Sequence, residues 1–327
     1  MKFINNITFK QFKLWLFLNP RLQPLLCKIR YLIQVAFSKN YAFENADKSK
    51  RFIFIVGCGR SGNTLLRRLL MERFDIYIPP ESYVLPRQIN QYLVSGHLKW
   101  AEKVDIILSF LENHPEFNTF GVNSFNVFKK EAKEWEKREQ TFLNLIIGLY
   151  KWLAVNNNCD SLWVGDKTPL NTLNLGLLNK AFPNAKFIFL ERDPVDVIQS
   201  YLASGIYDDA IDASLRWRNS LKAWLFFTKI KNKNDFIELQ YERLVTDYDV
   251  VLEEIKKQFL LPERKNKKGF ELSSLGDVLS RSHHSNVKNT PSNFSIGKGR
   301  VNIKESDLKS ARKVLGKLPQ KRGYSPL

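Results

Sequence analysis

A three-layer α/β fold, with a central, mostly parallel sheet and helices on both faces, is what the sequence predicts, on three observations. Short apolar runs rich in Val, Ile and Phe alternate with stretches of helical periodicity along the chain. The first of those runs is apolar at every position, as a strand buried on both faces reads. It is closed by a glycine-rich turn that opens directly into a helix.

Taken in order, Phe52-Ile53-Phe54-Ile55-Val56 is the first strand, and residues 64–71 form the helix after it. Ile76-Tyr77-Ile78 is a short second strand, ended by Pro79-Pro80. Residues 85–155 read as mostly helical and are expected to shape a substrate pocket. Ser161-Leu162-Trp163-Val164 is a third strand, and residues 170–182 a helix stopped by Pro183-Asn184. Lys186-Phe187-Ile188-Phe189-Leu190 is a fourth strand. Pro194 suits the first turn of the helix that follows. A long helix over residues 213–230 carries Trp217 and Trp224 at core spacing. Phe236-Ile237-Glu238-Leu239 is a fifth strand, with a helix over 248–258 behind it. No internal repeat is present.

The 327 residues suit one large domain, placed at 49–327 and preceded by an N-terminal extension at 1–48. A hydrophobic fraction of 44% argues against wholesale disorder. Lys and Arg outnumber Asp and Glu by 51 to 33, and the net charge of +18 favours anionic partners. Residues 1–43 hold seven basic side chains and no acidic one, but polar interruptions leave no run long enough to span a bilayer. Two readings of that segment stand: a basic amphipathic element lying on an anionic membrane surface, or a helical extension packed on the domain. Cys27, Cys58 and Cys159 form no paired or metal-like spacing. Reduced thiols and a cytoplasmic location, soluble or peripheral to a membrane, are therefore expected.

The chemistry is carried first by Gly57-Cys58-Gly59-Arg60-Ser61-Gly62-Asn63-Thr64. Its spacing is that of a phosphate-binding loop, with Asn63 where ATPases and GTPases place Lys. The glycines let backbone N–H groups turn toward phosphate oxygens, and the helix start adds a positive dipole end. Without the Lys that bridges β- and γ-phosphates, a nucleoside triphosphatase is disfavoured; Arg60 supplies a positive charge inside the loop. A second anion site is expected at the fourth strand's carboxyl end, where Arg192 and, eight residues on, Ser200 suit a phosphate group.

Together these two segments resemble the PAPS-dependent sulfotransferase family, in the branch that holds tyrosylprotein sulfotransferases and related bacterial enzymes. The resemblance runs from about residue 52 to 300 and implies the P-loop NTPase-like sulfotransferase fold. It implies that residues 59–64 hold the 5′-phosphosulfate of PAPS and that Arg192 and Ser200 hold its 3′-phosphate, with PAP as product. Asn63 stands where the family has Thr. Glu81-Ser82-Tyr83-Val84-Leu85-Pro86-Arg87 is similar to the family segment whose Glu is the catalytic base, which implies that role for Glu81; Tyr83 replaces the family's Arg. Gly165-Asp166-Lys167-Thr168-Pro169 resembles its lysine loop. Lys167 would then join Arg60 in stabilising charge on the departing group, with no metal. Tyr241 aligns with a Tyr near the nucleotide. Ser285, Lys298 and Arg300 fall where a C-terminal loop covers it; His283 and His284 lie far from the first two strands.

Transfer of a sulfuryl group to a hydroxyl of a carbohydrate, a peptidyl tyrosine or a small alcohol is the leading expectation. The alternatives are a P-loop kinase with a divergent loop, and a basic non-enzymatic protein that binds polyanions or membrane. Nucleic acid is not an expected partner of the leading reading.

Overall fold

The computed structural model describes residues 19–37, 43, 51–159, 161–264, 275–276 and 290–327. Helix α1 (Gln23–Phe37) precedes the sheet. β1 (Phe52–Gly57), α2 (Asn63–Arg73) and β2 (Ile76–Tyr77) follow. A run of helices comes next: α3 (Leu85–Val94), α4 (Trp100–Glu112), α5 (Asn126–Lys133) and α6 (Phe142–Asn156). β3 (Trp163–Lys167) leads through a 3₁₀ turn at Pro169–Asn174 into α7 (Leu175–Ala181), β4 (Lys186–Glu191), α8 (Pro194–Ala203) and α9 (Ala210–Phe227). β5 (Phe236–Gln240), α10 (Tyr241–Thr246) and α11 (Tyr248–Phe259) complete the alternation. α12 (Lys298–Asn302), α13 (Glu305–Leu315) and α14 (Leu318–Lys321) form the C-terminal end.

The strands lie in the order β2-β3-β1-β4-β5, and every neighbouring pair is parallel. Every residue of β1 is buried. Phe52 packs on Phe182 and Phe54 on Phe187, with ring centroids 4.6 and 5.1 Å apart. Each such fully buried side chain stabilises the fold by about 1.5–3 kcal/mol. Past β1 the chain builds β2 and β3 on one side, then crosses back to build β4 and β5 on the other. The loops leaving the carboxyl ends of β1 and β4 therefore diverge, and a crevice opens where such sheets bind ligands.

Three boundaries differ from the sequence expectation. The third strand is not 161–164 but Trp163–Lys167, so Gly165-Asp166-Lys167 is strand and not loop. These residues disfavour strands on their own; pairing with Ile53, Phe54 and Ile55 of β1 holds them extended. The helix expected at 170–182 is a 3₁₀ turn followed by the shorter α7. The long helix begins at Ala210, capped by the Asp209 carboxylate accepting from the Asp212 N–H, and ends at Phe227. Trp217 and Trp224 are buried, as their spacing suggests.

The start of α1 is docked on the domain. Arg21 pairs with Asp212 (3.0 Å), and Asn219 donates to the Pro20 carbonyl (2.7 Å). Leu25, Ile29 and Leu32 remain exposed. No helix among the described residues is long and apolar enough to cross a membrane. None of the three cysteines forms a disulfide.

At the other end, Arg322 bridges Glu191 of β4 (2.8 Å) and Glu238 of β5 (2.7 Å). Burial pushes the Glu191 carboxyl from 4.5 up to about 7, outweighing the Arg322 guanidinium beside it. A raised carboxyl pKa favours the protonated folded state. Its stabilisation is complete below the ordinary value of 4.5 and is lost as pH rises through about 7. Urea unfolding across that interval should show wild type losing stability relative to Glu191→Gln. A wild type that gains stability there would mean that the ion pair outweighs burial.

Candidate active site

The turn after β1 is wound by two residues in the left-handed region, Arg60 (φ 68°) and Gly62 (φ 91°). A Cβ at Gly62 would lie 2.4 Å from the Tyr241 ring, so no side chain fits there. Arg60 pays a conformational cost, as residues held at ligand sites often do. Asn63 opens α2, and its side-chain amide donates to the Cys58 carbonyl (2.8 Å), bracing the loop from within. The first N–H groups of α2 have no intrahelical carbonyl to bond, which leaves donors and a positive dipole end facing the turn.

A lysine reaches the helix start from the neighbouring strand. Lys167, the last residue of β3, is fully buried, with Nζ 3.3 Å from Thr64 Oγ1 and 2.6 Å from Glu81 Oε1. The side chains expected to act as base and cation are thus one ion pair. Several contacts hold it in place. The Ser82 N–H donates to Thr168 Oγ1 (3.1 Å), which ties the Glu81 segment to the end of β3. Behind Lys167, the Asp166 carboxylate accepts from the Tyr150 hydroxyl (3.0 Å) and the Asn171 amide (2.7 Å). Burial raises the Asp166 pKa, and these hydrogen bonds oppose the rise. Tyr83 is also left-handed (φ 51°) and stacks on His114, with ring centroids 5.2 Å apart.

Across the crevice, Arg60 Nε donates to Ser200 Oγ (3.0 Å). Arg192 reaches the Arg60 carbonyl (3.4 Å), the Ser295 carbonyl (2.6 Å) and Asp196 (3.3 Å). Its guanidinium lies 4.4 Å from the centre of the Tyr241 ring, a cation–π contact. The Tyr241 hydroxyl and Ser295 Oγ are 2.5 Å apart. Burial lowers the Arg60 pKa and the Arg192 charge lowers it further; an Arg so shifted still carries its proton at neutral pH.

These groups surround one cavity of about 1000 Å³. Gly59, Arg60, Gly62, Asn63 and Thr64 line it, as do Glu81, Arg192, Ser200, Tyr241 and Lys298. Lys167 lies just behind Thr64 and Glu81. Ser61 is fully buried, and its hydroxyl has no hydrogen-bond partner; Arg192 Nε is buried in the same condition. Ser61 does not line the cavity, but the unmatched Arg192 Nε and several cations along it suit a ligand with two separated anionic groups.

Some expectations fail. None of residues 85–155 lines the cavity; around α5 and α6 they gather instead on an aromatic cluster of Phe128, Trp135 and Trp152. Arg300 is held by Asp193 (2.9 Å) and the carbonyls of Ser325 and Pro326, and does not line the cavity. Ser285, His283 and His284 lie outside the described residues. The sequence reading also missed Asp196, which accepts from the N–H groups of Gly297 (2.9 Å) and Gly299 (2.6 Å) and docks the C-terminal segment on α8. A Cβ at Gly299 would lie 2.5 Å from Asp196 Cα, so only glycine allows that approach. Asp196 sits in the same Arg-Asp-Pro-Val-Asp run as Arg192, where a first-turn carboxylate was the available signal. Trp217, read as core alone, also donates from Nε1 to the Arg192 carbonyl (3.0 Å).

A family model described as "Sulfotransferase family" matches residues 52–264, well over half of the chain. Protein-tyrosine sulfotransferase 1 of Danio rerio is 23% identical over 307 residues, covering 92% of this chain and 76% of that protein. Protein-tyrosine sulfotransferase A of Caenorhabditis elegans is 20% identical over 228 residues, covering 66% of this chain and 51% of that protein. Across the curated relatives it matches, the chain spans from 30% to 76% of their length. Among solved structures, the sulfotransferase domain of the Synechococcus PCC 7002 olefin synthase superposes with a TM-score of 0.55 at 20% identity, covering 87% of this chain and 99% of that one. At that identity the likeness is one of fold.

Proposed function

The chain belongs to the sulfotransferase family, and from that premise we propose that it moves a sulfuryl group from PAPS to an acceptor hydroxyl on a carbohydrate, a peptidyl tyrosine or a small alcohol. The observation that carries this reading is the pairing of two anion sites in one cavity: the loop ending at Thr64, and Arg192 with Ser200. A donor with a 5′-phosphosulfate and a 3′-phosphate matches both; ATP matches only one.

In this reading the loop N–H groups and Arg60 hold the phosphosulfate end, while Arg192 and Ser200 hold the 3′-phosphate. Tyr241 packs beneath, and Lys298 covers the same end. Glu81 accepts the proton of the acceptor hydroxyl as its oxygen bonds to sulfur. The bond from sulfur to the 5′-phosphate oxygen breaks in line with that attack. Lys167 and Arg60 offset the negative charge left on the phosphate oxygen. As in phosphoryl transfer, the protein's work is positioning and electrostatics; ammonium and guanidinium groups do it, and the reading assigns no metal. Residues 49–327 form the catalytic domain and residues 1–48 an extension carried on it.

Calorimetry with PAP and AMP tests this directly. PAP should bind far more tightly than AMP, with EDTA having no effect. Equal binding would sink the proposal and favour general polyanion binding; a requirement for ATP and Mg²⁺ would favour a kinase. Arg192→Ala should weaken PAP by about 10–100-fold, the range for losing hydrogen bonds to a charged group, and leave AMP nearly unchanged. Loss of both nucleotides together would place Arg192 in the scaffold alone.

A further inference from the structure

Arg216 is a buried cation with no ion-pair partner among the described residues. It lies on α9, 2% exposed, and its side chain borders the cavity. Its Nη1 donates to Gln23 Oε1 (3.1 Å). Its other polar neighbours are the Tyr201 and Tyr207 hydroxyls and the Cys58 thiol. Burial raises all three: Cys58 above its usual value, Tyr207 to about 12 and Tyr201 well above its usual range. None of them is negative at neutral pH. Asp212, one turn earlier on α9, is engaged by Arg21. Among the described residues no carboxylate forms an ion pair with Arg216. A buried charge without a counter-charge is costly, and an anionic ligand in the cavity would offset that cost.

Arg216 sits beside the start of the phosphate-binding loop, with Cys58 of that loop and the Tyr201 hydroxyl that lies against Gly59 next to it, on the side turned to α1. The donor's two anionic ends are matched by the loop and by Arg192 with Ser200. The nucleotide end is closed by Tyr241, Ser295 and Lys298. On its own side Arg216 packs with Gln23 of α1, and both α1 and α9 pack against the 3₁₀ turn that follows Lys167. The cavity wall contributed there is Pro169, Leu170, Ile206 and Tyr207, an apolar and aromatic surface.

We propose that Arg216 is an anion subsite in the acceptor half of the cavity, so that the acceptor is an acidic hydroxyl compound with an apolar body. It would present its hydroxyl to Glu81 and a carboxylate, sulfate or phosphate group to Arg216, with the Tyr207 hydroxyl as a second donor. The inference rests on the sulfotransferase reading, since that reading assigns the rest of the cavity to the donor.

The test is calorimetry on the full chain saturated with PAP, using 4-hydroxybenzoate and its neutral twin 4-hydroxybenzamide as probes. Wild type should bind the acid at least about tenfold more tightly, the scale of a charge-assisted contact. Arg216→Gln should bind the two alike, and Arg216→Lys should keep the preference for the acid. PAP affinity should stay within about twofold in both variants. If Arg216→Gln does not fold, Tyr207→Phe reads the same subsite at a half-buried position and should weaken the acid alone. No preference for the acid in wild type, or a PAP affinity that falls with Arg216→Gln, would overturn the inference; the second outcome would give Arg216 to the donor. A wild type that does not distinguish PAP from AMP would instead overturn the sulfotransferase reading.

Discussion

Glu81→Gln should bind PAP as wild type does and lose about 10²–10⁴-fold in turnover, the usual contribution of a positioned general base. The glutamine keeps the size and one accepting oxygen of the original side chain but cannot take a proton. Glu81 sits on the cavity wall, with its backbone tied to β3 through the Ser82 N–H and Thr168 Oγ1. The substitution therefore leaves the loop and the Arg192 clamp in place. PAP binding by calorimetry establishes that the site is intact. Transfer of labelled sulfate from PAPS to acceptors in a cell extract, read by mass spectrometry, gives the turnover. Full activity in Glu81→Gln would require another base, and loss of PAP binding would make Glu81 a structural member of the donor site.

The sheet was legible in the sequence wherever burial on both faces writes a continuous apolar run, as in β1 and β4. It was less legible in β3, where Gly165-Asp166-Lys167 is extended because β1 pairs with it and not because its residues prefer to be. The loop and the separate Arg192 and Ser200 could be read from spacing alone. Their mutual contacts could not: that Arg60 donates to Ser200, and that Lys167 reaches across from β3 to Thr64, follows from strand order. Spacing within one segment says nothing about which segments the sheet makes neighbours. Arg216 was invisible for a related reason. A basic residue in an amphipathic helix reads as solvated until the packing of α1, α8 and α9 buries it. The docking of residues 297–299 on α8 likewise depends on Asp196, whose carboxylate reads in sequence as an ordinary favourable charge in a helix's first turn.

That Lys167 reaches Thr64 from β3 has an energetic consequence. A lysine within the loop would be held by local backbone; one from β3 is held by the sheet and by Glu81. Because Lys167 is fully buried and Glu81 18% exposed on its side chain, the pair is only partly dry. Removing one partner of a fully buried pair strands a charge at high cost. Here water can reach Glu81, so loss of Lys167 should damage catalysis more than folding.

Lys167→Met should therefore fold, bind PAP with modest loss, and turn over about 10²–10³-fold more slowly, the range for removing one group that stabilises developing charge. Methionine fills the buried channel without adding a polar group. The informative measurement is the double variant with Glu81→Gln. In the free protein the two side chains are 2.6 Å apart and orient each other, so each single change already disables part of what the other does. Groups that act as one unit show losses far from additive. The double variant should be little worse than the poorer single one, with PAP affinity still measurable in all three. Losses that multiply would mean that base and cation act independently, and that the ion pair between them is a resting contact with no part in orienting either group for transfer.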